Sequence, residues 1–278
     1  MNDMKTLYVS DLDGTLLRSD ERTSDFTNNT INELAKKGVL FSYATARSYH
    51  TARKATAGLN AQIPLIVYNG AMVVDNVTGK RMLCNFFDAK EIKEVLDDLT
   101  KAGVYPIVYA FVEDSEKFSY VQALNTKEQQ EFLDTRKNDV RDNPVGQASD
   151  LYKGEIFYLT CIGDYEKLAP FYEKYKDIYH CVFQEDIYLH SQWLEIMPKE
   201  ASKANAIMQL KEFLGCERVV AFGDGINDVD MFMLADEAYA VENACDELKA
   251  YATGVIGSNN EDAVAKFLLN RLSGEKKK

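Results

Sequence analysis

The sequence of 278 residues lacks the features that mark several common classes of protein. Its five cysteines are an odd number without Cys-x-x-Cys spacing, so neither a disulfide framework nor a cysteine zinc site is expected. No apolar run approaches the roughly 18 to 20 residues that a membrane helix needs. The first residues lead into a predicted strand without the basic and apolar stretches of a secretion signal. These absences predict a cytoplasmic protein.

Positive charge is also scarce. The chain has 32 Lys and Arg against 44 Asp and Glu, which gives a formal net charge of −12. Because nucleic acids and anionic membranes are polyanions, neither is an expected partner. A phosphorylated ligand would therefore need a locally positive site.

The common nucleotide-binding loops are missing as well. No Gly-x-x-x-x-Gly-Lys-Ser/Thr sequence is present, which excludes a P-loop NTPase. Gly223-x-Gly225 begins like a dinucleotide fingerprint, but the third glycine is replaced by Asp228, whose charge would repel a pyrophosphate. A Rossmann cofactor site is not expected.

What is present is an ordinary globular composition, with 46% hydrophobic and 27% charged residues. Strands and helices alternate from the start of the chain: Leu7–Ser10, Thr27–Lys37, Val39–Ala44, Ser48–Ala57 and Leu65–Tyr68. This βαβαβ order predicts an α/β fold with a parallel sheet and right-handed crossovers.

The alternation is interrupted in the middle of the chain. From about residue 85 to residue 190, aromatic-rich strands alternate with helices such as Asp164–Tyr175, as in a separate α+β insert. The alternation of strand and helix returns with a helix over Ser202–Leu214 and a strand over Arg218–Phe222. The sequence thus predicts one domain formed by residues 1–84 and 191–278, and a second formed by residues 85–190.

Two clusters of acidic residues follow predicted strands. Asp11 and Asp13 come after the first strand, and Asp224 and Asp228 come after Arg218–Phe222. Side chains at the carboxyl ends of parallel strands enter the crevice where such folds bind ligands, and carboxylates suit Mg²⁺. For Asp11 and Asp13, the alternative is that they only cap the turn that follows.

In their order along the chain and in their context at predicted strand ends, four segments resemble the motifs of the haloacid dehalogenase superfamily, and in particular its Cof-type branch. The matching segments are Asp11–Leu17, Ala44–Arg47, Ser202–Ala204 and Gly223–Asp228, with further similarity at Tyr68–Ala71, Leu194–Ile196 and Ser258–Asp262. Two positions depart from the usual pattern, since Ala46 and Ala263 stand where glycine is common. The resemblance implies a Rossmann-like core with an inserted α/β cap.

The resemblance also implies roles for individual residues. Asp11 would be the nucleophile, Asp13 the general acid and base, and Lys203 the cation that neutralises nucleophile and phosphate. Mg²⁺ would be held by Asp11, the backbone carbonyl of Asp13 and Asp224, with Asp228 orienting that shell.

Further residues would surround the phosphate or the rest of the substrate. The phosphate-binding groups implied are the backbone N–H groups of Leu12 and Ala46, the Thr45 hydroxyl and the Asn227 amide. Arg47 would contact the substrate or form an ion pair within the core. Asn69 and Gly70 would shape a nearby turn or touch the substrate.

The function implied is hydrolysis of a small phosphorylated metabolite, with sugar phosphates ahead of nucleotides and pyridoxal phosphate. The inserted domain would close over the site and set the specificity. Two alternatives stay open: a phosphotransferase or mutase that uses the same nucleophile, and a non-catalytic phosphometabolite-binding protein. The sequence leaves the oligomeric state open.

Overall fold

The computed structural model describes residues 4–185 and 191–274, which form two compact units. The first unit combines Met1–Cys84 with Ser202–Lys278, and the second consists of Asn85–Ala201. In the described ranges no helix is long and apolar enough to cross a membrane. All five cysteines are free thiols.

The first unit contains a sheet of eight described strands with helices beside it. The strands are β1 (Thr6–Asp11), β2 (Leu40–Ala44), β3 (Pro64–Val67), β4 (Met72–Asp75), β5 (Arg81–Cys84), β12 (Arg218–Gly223), β13 (Glu237–Ala240) and β14 (Gly254–Val255). The helices are α1 (Asp25–Lys36), α2 (Tyr49–Ala55), α6 (Lys203–Leu214), α7 (Val229–Leu234), α8 (Asp246–Lys249) and α9 (Ala263–Gly274).

The strand order of this sheet is β14-β13-β12-β1-β2-β3-β4-β5. Pairing is parallel from β14 to β3, and the pairs β3–β4 and β4–β5 at the other edge are antiparallel. β1 lies between β12 and β2, with Ser10 opposite Phe222 and Asp11 opposite Ala44. The carboxyl ends of three buried strands therefore meet at one edge. The predicted α/β class with a Rossmann-like parallel sheet is confirmed.

The second unit contains a six-stranded, mostly antiparallel sheet within its described residues. Its strands are β6 (Ile107–Val112), β7 (Ser115–Tyr120), β8 (Asp142–Pro144), β9 (Glu155–Gly163), β10 (His180–Glu185) and β11 (Gln192–Met197), in the order β10-β11-β9-β6-β7-β8. Its helices are α3 (Ala89–Lys101), α4 (Lys127–Asp134) and α5 (Tyr165–Tyr175).

Helix α3 packs on the sheet of the second unit and forms a hydrophobic core with it. Ile92, Val95, Leu96 and Leu99 of α3 pack with alternate residues of the central strands, such as Leu159. This packing follows from the apolar stripe that the sequence of α3 presents every three to four residues. Asp88 caps the helix and accepts hydrogen bonds from the N–H groups of Lys90 and Glu91.

The predicted boundary at residues 190 and 191 is wrong by one strand. β11 pairs along its length with β9 and β10, so Trp193–Ile196 belongs to the second unit, and the observed boundary follows Ala201. The sequence does not reveal this, because strand pairing depends on contacts distant along the chain. Residues 186–190, at the predicted end of the insert, lie outside the described residues.

Candidate active site

Lys203 joins two buried carboxylates at the carboxyl edge of the first sheet. Its Nζ lies 2.5 Å from Asp11 Oδ1 and 2.8 Å from Asp228 Oδ1. The side chains of Lys203, Asp11 and Asp228 are 5%, 7% and 0% exposed. Asp11 is the last residue of β1, and Lys203 is the first residue of α6, which is capped by Ser202. Residues separated by 192 positions are thus brought into direct contact.

Asp224 is held beside this pair by close packing of the loop after β1. Thr15 Oγ1 donates a hydrogen bond of 2.9 Å to Asp224 Oδ1. Gly14 has a φ of 76°, and a Cβ at this position would lie 2.2 Å from Asp224 Oδ2. Only glycine fits here, because both the backbone conformation and the contact exclude a side chain. The glycine after the two predicted acids therefore sets the separation of the two acidic loops.

Asp228 holds the turn after β12 through hydrogen bonds with its backbone. Its Oδ2 accepts hydrogen bonds from the backbone N–H groups of Asp224, at 3.1 Å, and Gly225, at 3.3 Å. A Cβ at Gly223 would lie 2.7 Å from the same oxygen. Asp228 thus uses one oxygen to hold the loop and the other to bind Lys203.

The pKa values of the cluster reflect burial first and the interactions among its charged groups second. Burial and the neighbouring charge of Asp228 raise the pKa of Asp11 well above its ordinary value, although Lys203 acts in the opposite direction. Burial also raises the pKa of Asp224 to about 6, against the effect of the Thr15 hydrogen bond. Burial acts to lower the pKa of Lys203, but Asp11 and Asp228 outweigh it and hold this pKa above its ordinary value.

Asp11, Asp224 and Asp228 could hold a metal ion together. One oxygen from each lies within 4.8 Å of the others. Carboxylate oxygens are the ligands that Mg²⁺ prefers, and one ammonium group balances only one of the three acids. A divalent cation fits this site because its charge would stabilise the ionised forms of Asp11 and Asp224, whose pKa values are raised by burial first and by neighbouring carboxylates second.

The Asp13 carboxylate is turned to a different partner. Arg47 Nε lies 3.0 and 2.9 Å from its two oxygens, and Arg47 Nη2 lies 2.5 Å from Oδ1. The same Nη2 donates to Glu21 Oε2 at 3.0 Å. Of the two roles considered for Arg47, the structure shows an ion pair, and its partner is the predicted acid and base.

The other predicted residues surround these groups at the same edge. Thr45 is buried at the end of β2 and its Oγ1 accepts a hydrogen bond from the N–H of Arg47. Leu12 is buried, while Ala46 and Asn227 are exposed. A role in phosphate binding for these four residues stays a prediction.

Asn69 and Gly70 form the predicted turn. The N–H of Asn69 donates to the carbonyl of Thr45 at 2.9 Å, and Asn69 has a φ of 52°. A Cβ at Gly70, which has a φ of 96°, would lie 2.2 Å from the carbonyl oxygen of Ser202. The turn therefore packs against the start of the helix that carries Lys203.

Sequence reasoning missed several residues that hold the loop after β1. Asn243 Nδ2 donates to the carbonyl of Gly14 at 2.8 Å, and Asn259 Nδ2 donates to that of Leu17 at 2.9 Å. Asp262 accepts hydrogen bonds from Arg18, Ser24 and Thr27. The similarity of Ser258–Asp262 to a family pattern was the only signal in the sequence for this contact.

A cavity of about 360 Å³ opens beside Asp13 in the first unit. Its walls are mostly polar and include Gly14, Ser19, Glu21 and Asn260. The volume is in the range that small-molecule ligands occupy.

Comparison with known proteins gives consistent results. A model of the haloacid dehalogenase-like hydrolase family matches residues 8–268. A protein named 5-amino-6-(5-phospho-D-ribitylamino)uracil phosphatase YwtE, from Bacillus subtilis, is 29% identical over 98% of this chain and 99% of its own. YitU, a protein of the same organism with the same phosphatase description, is 26% identical over 94% of this chain and 96% of its own.

The fold is shared with solved structures. That of TM0651 from Thermotoga maritima has a TM-score of 0.77 at 24% identity and covers 97% of both chains. That of BT1666 from Bacteroides thetaiotaomicron, described among phosphatases of the same superfamily, has a TM-score of 0.74 at 16% identity, covering 97% of this chain and 96% of that one.

Proposed function

The chain belongs to the haloacid dehalogenase-like hydrolase family, and from this premise we propose that it is a magnesium-dependent phosphatase acting on small organic phosphate monoesters. The observation that carries the proposal is the contact of Lys203 with Asp11 and Asp228 beside Asp224. Mere binding of a phosphate would be hindered by three carboxylates. A phosphatase of this kind, in contrast, requires the carboxylates, because its nucleophile must be held close to both a metal ion and a phosphate.

In the first step, an oxygen of Asp11 attacks phosphorus and forms an aspartyl-phosphate while the ester P–O bond breaks. Asp13 gives its proton to the leaving oxygen, so that an alcohol departs instead of an alkoxide. Lys203 stays within hydrogen-bond reach of Asp11 and offsets negative charge during the transfer.

In the second step, Asp13 takes a proton from a water molecule that attacks phosphorus. The bond between phosphorus and Asp11 breaks, which releases phosphate and restores the carboxylate. Bound by Asp11, Asp224 and the carbonyl of Asp13, with Asp228 orienting this shell, Mg²⁺ would supply the positive charge that phosphoryl transfer needs. Thr45, Asn227 and the N–H groups of Leu12 and Ala46 would hold the phosphate oxygens.

We propose sugar or polyol phosphates as the first choice of substrate class, ahead of nucleotides and pyridoxal phosphate. Two relatives whose names specify a phosphoribitylamino substrate support this order. The polar cavity beside Asp13 offers room for a hydroxyl-bearing group. The second unit would act as the cap that sets specificity, as the position of the insert within the family fold suggests.

The test is phosphate release from a panel of sugar phosphates, polyol phosphates, nucleotides and pyridoxal phosphate. Wild type and Asp11→Asn are compared, each with magnesium and with EDTA. Turnover that needs magnesium and is lost in the variant supports the proposal and ranks the substrates. Transfer of phosphate to a second hydroxyl would instead favour a phosphotransferase, and binding without turnover would favour a non-catalytic protein.

A further inference from the structure

Glu21 lies in the loop after β1, outside every motif that the sequence identifies. Its Oε2 accepts a hydrogen bond of 3.0 Å from Arg47 Nη2, the same nitrogen that lies 2.5 Å from Asp13 Oδ1. One guanidinium group thus links the two carboxylates. Because a guanidinium is planar and its donors have fixed directions, a restraint on one edge also restrains the other.

We propose that Glu21 is a positioning residue for proton transfer: it fixes the Arg47 guanidinium, which in turn fixes the carboxylate of Asp13. The inference rests on the proposed function, in which Asp13 protonates the leaving oxygen. A general acid must lie within about 2.6 to 3.2 Å of the atom that it protonates, so a small rotation of Asp13 would slow this step.

The backbone of Arg47 is held by hydrogen bonds at both its N–H group and its carbonyl group. Its N–H donates to Thr45 Oγ1 at 3.1 Å, and its carbonyl accepts from the N–H of Tyr68 at 3.0 Å. Its side chain is 24% exposed, whereas that of Asp13 is 49% exposed. The backbone of Arg47 is therefore fixed, and the direction of its long side chain depends on the carboxylates at its tip.

The loop that carries Glu21 is also fixed. The N–H of Glu21 donates to the carbonyl of Arg18 at 2.9 Å, and the N–H of Arg18 donates to that of Arg22 at 3.0 Å. Arg18 makes a two-point ion pair with Asp262, through Nε at 3.0 Å and Nη2 at 2.5 Å. Glu21 thus presents its carboxylate from a loop whose position is set by the C-terminal part of the first unit.

The size of the expected effect follows from the solvent exposure of the Glu21 side chain. The Glu21 side chain is 73% exposed, so solvent screens its attraction to Arg47. An exposed ion pair of this kind corresponds to roughly a threefold to fivefold change in rate. The inference therefore predicts a moderate and selective loss, not an inactive enzyme.

The experiment compares kcat/KM for p-nitrophenyl phosphate and phenyl phosphate, two esters of similar shape. Nitrophenolate leaves without help, whereas phenolate is more basic and needs the proton of Asp13. Glu21→Ala should lower kcat/KM for phenyl phosphate about threefold to fivefold and leave that for p-nitrophenyl phosphate unchanged. Glu21→Gln keeps an acceptor oxygen and should lose less.

Asp20→Asn is the matched control. Asp20 precedes Glu21 in the same exposed loop, and this variant removes one negative charge, as Glu21→Ala does. Asp20 is not among the residues that bond Arg47 in the described part of the chain. It should leave both esters unaffected. An equal loss on both esters in Glu21→Ala, no loss on either, or the same selectivity in Asp20→Asn would overturn the inference. If wild type with magnesium cleaves neither ester, the proposed function fails, and the inference fails with it.

Discussion

Each of the two units places one buried cation between two carboxylates, but the cluster in the first unit has a third carboxylate beside it. In the first unit, Lys203 contacts Asp11 and Asp228. In the second, Arg141, with a side chain only 3% exposed, contacts Glu116 at 2.9 Å and Asp139 at 2.6 Å. We call these the Lys203 cluster and the Arg141 cluster.

The clusters differ in what surrounds them. Arg141 donates through three nitrogens, and two of these bind the two oxygens of Asp139, which satisfies a planar cation with fixed geometry. Lys203 shares a single nitrogen between two acids, and Asp224 adds a third carboxylate nearby. The Arg141 cluster therefore ties a loop to strand β7, whereas the Lys203 cluster retains negative charge that a metal ion can balance. The third carboxylate distinguishes the cluster that we propose to be reactive from the structural one.

The largest expected effect comes from Lys203→Met. The change leaves two buried carboxylates facing each other without their cation, which should lower the free energy of unfolding by about 3 kcal/mol. Phosphate release should fall by about a thousandfold or more, because the cation beside the nucleophile is gone. Urea unfolding and steady-state turnover measure the two effects. A variant that keeps a tenth of the wild-type activity would contradict this role.

Arg141→Met is the counterpart in the second unit. It should also lower the free energy of unfolding by about 3 kcal/mol, since it removes the cation of a buried ion pair and leaves the carboxylates in place. Turnover of p-nitrophenyl phosphate by the folded variant should stay within about threefold of wild type, a change below 1 kcal/mol. A loss of activity as large as that of Lys203→Met would remove the distinction between the clusters.

A pH dependence of stability is expected in the second unit. Burial raises the pKa of Glu195 to about 7, and the hydrogen bond with Tyr158 only partly offsets it. The folded state therefore keeps a proton that the unfolded state releases, so stability should fall as pH rises from about 4.5 through about 7. Glu195→Gln should remove that part of the slope. Urea midpoints from acid to alkaline pH measure it, and identical slopes in variant and wild type would contradict the assignment.

The smallest expected effect is that of Ala46→Gly, which restores the residue usual in the family. Ala46 is exposed and is not among the residues with positive φ, so its backbone does not require glycine. The change should destabilise the protein by about 0.5 kcal/mol through the unfolded chain and leave kcat/KM nearly unchanged. A large gain in activity would show that the methyl group obstructs the phosphate site.

The contrast between the units also explains what could be predicted from the sequence. Asp11, Asp224 and Lys203 converge because the parallel strands end, and the helix before β12 begins, at one edge of the sheet. That rule can be applied to a sequence. In the second unit, an antiparallel sheet places polar residues across its face, and no comparable rule locates them. The boundary at Ala201 and the place of β11 depended on pairing with β9 and β10.

The directions of side chains in the first unit could not be predicted from the sequence either. The sequence identified Arg47 and Asp13 separately, but their ion pair depends on rotamers that spacing does not specify. Glu21 gave no signal, because a single acid in a polar loop is ordinary. Thr15 lay within a recognised motif, yet its bond to Asp224 appears only when two distant loops meet.

The most direct test of the account is to trap the phosphorylated enzyme. Wild type, Asp13→Asn and Asp11→Asn would each be mixed with radiolabelled p-nitrophenyl phosphate and magnesium, quenched in acid and digested. We expect label on the peptide that contains Asp11, with more label in Asp13→Asn, where hydrolysis lacks its base, and none in Asp11→Asn. Phosphate release without label on that peptide, or label on another residue, would contradict the central role of Asp11.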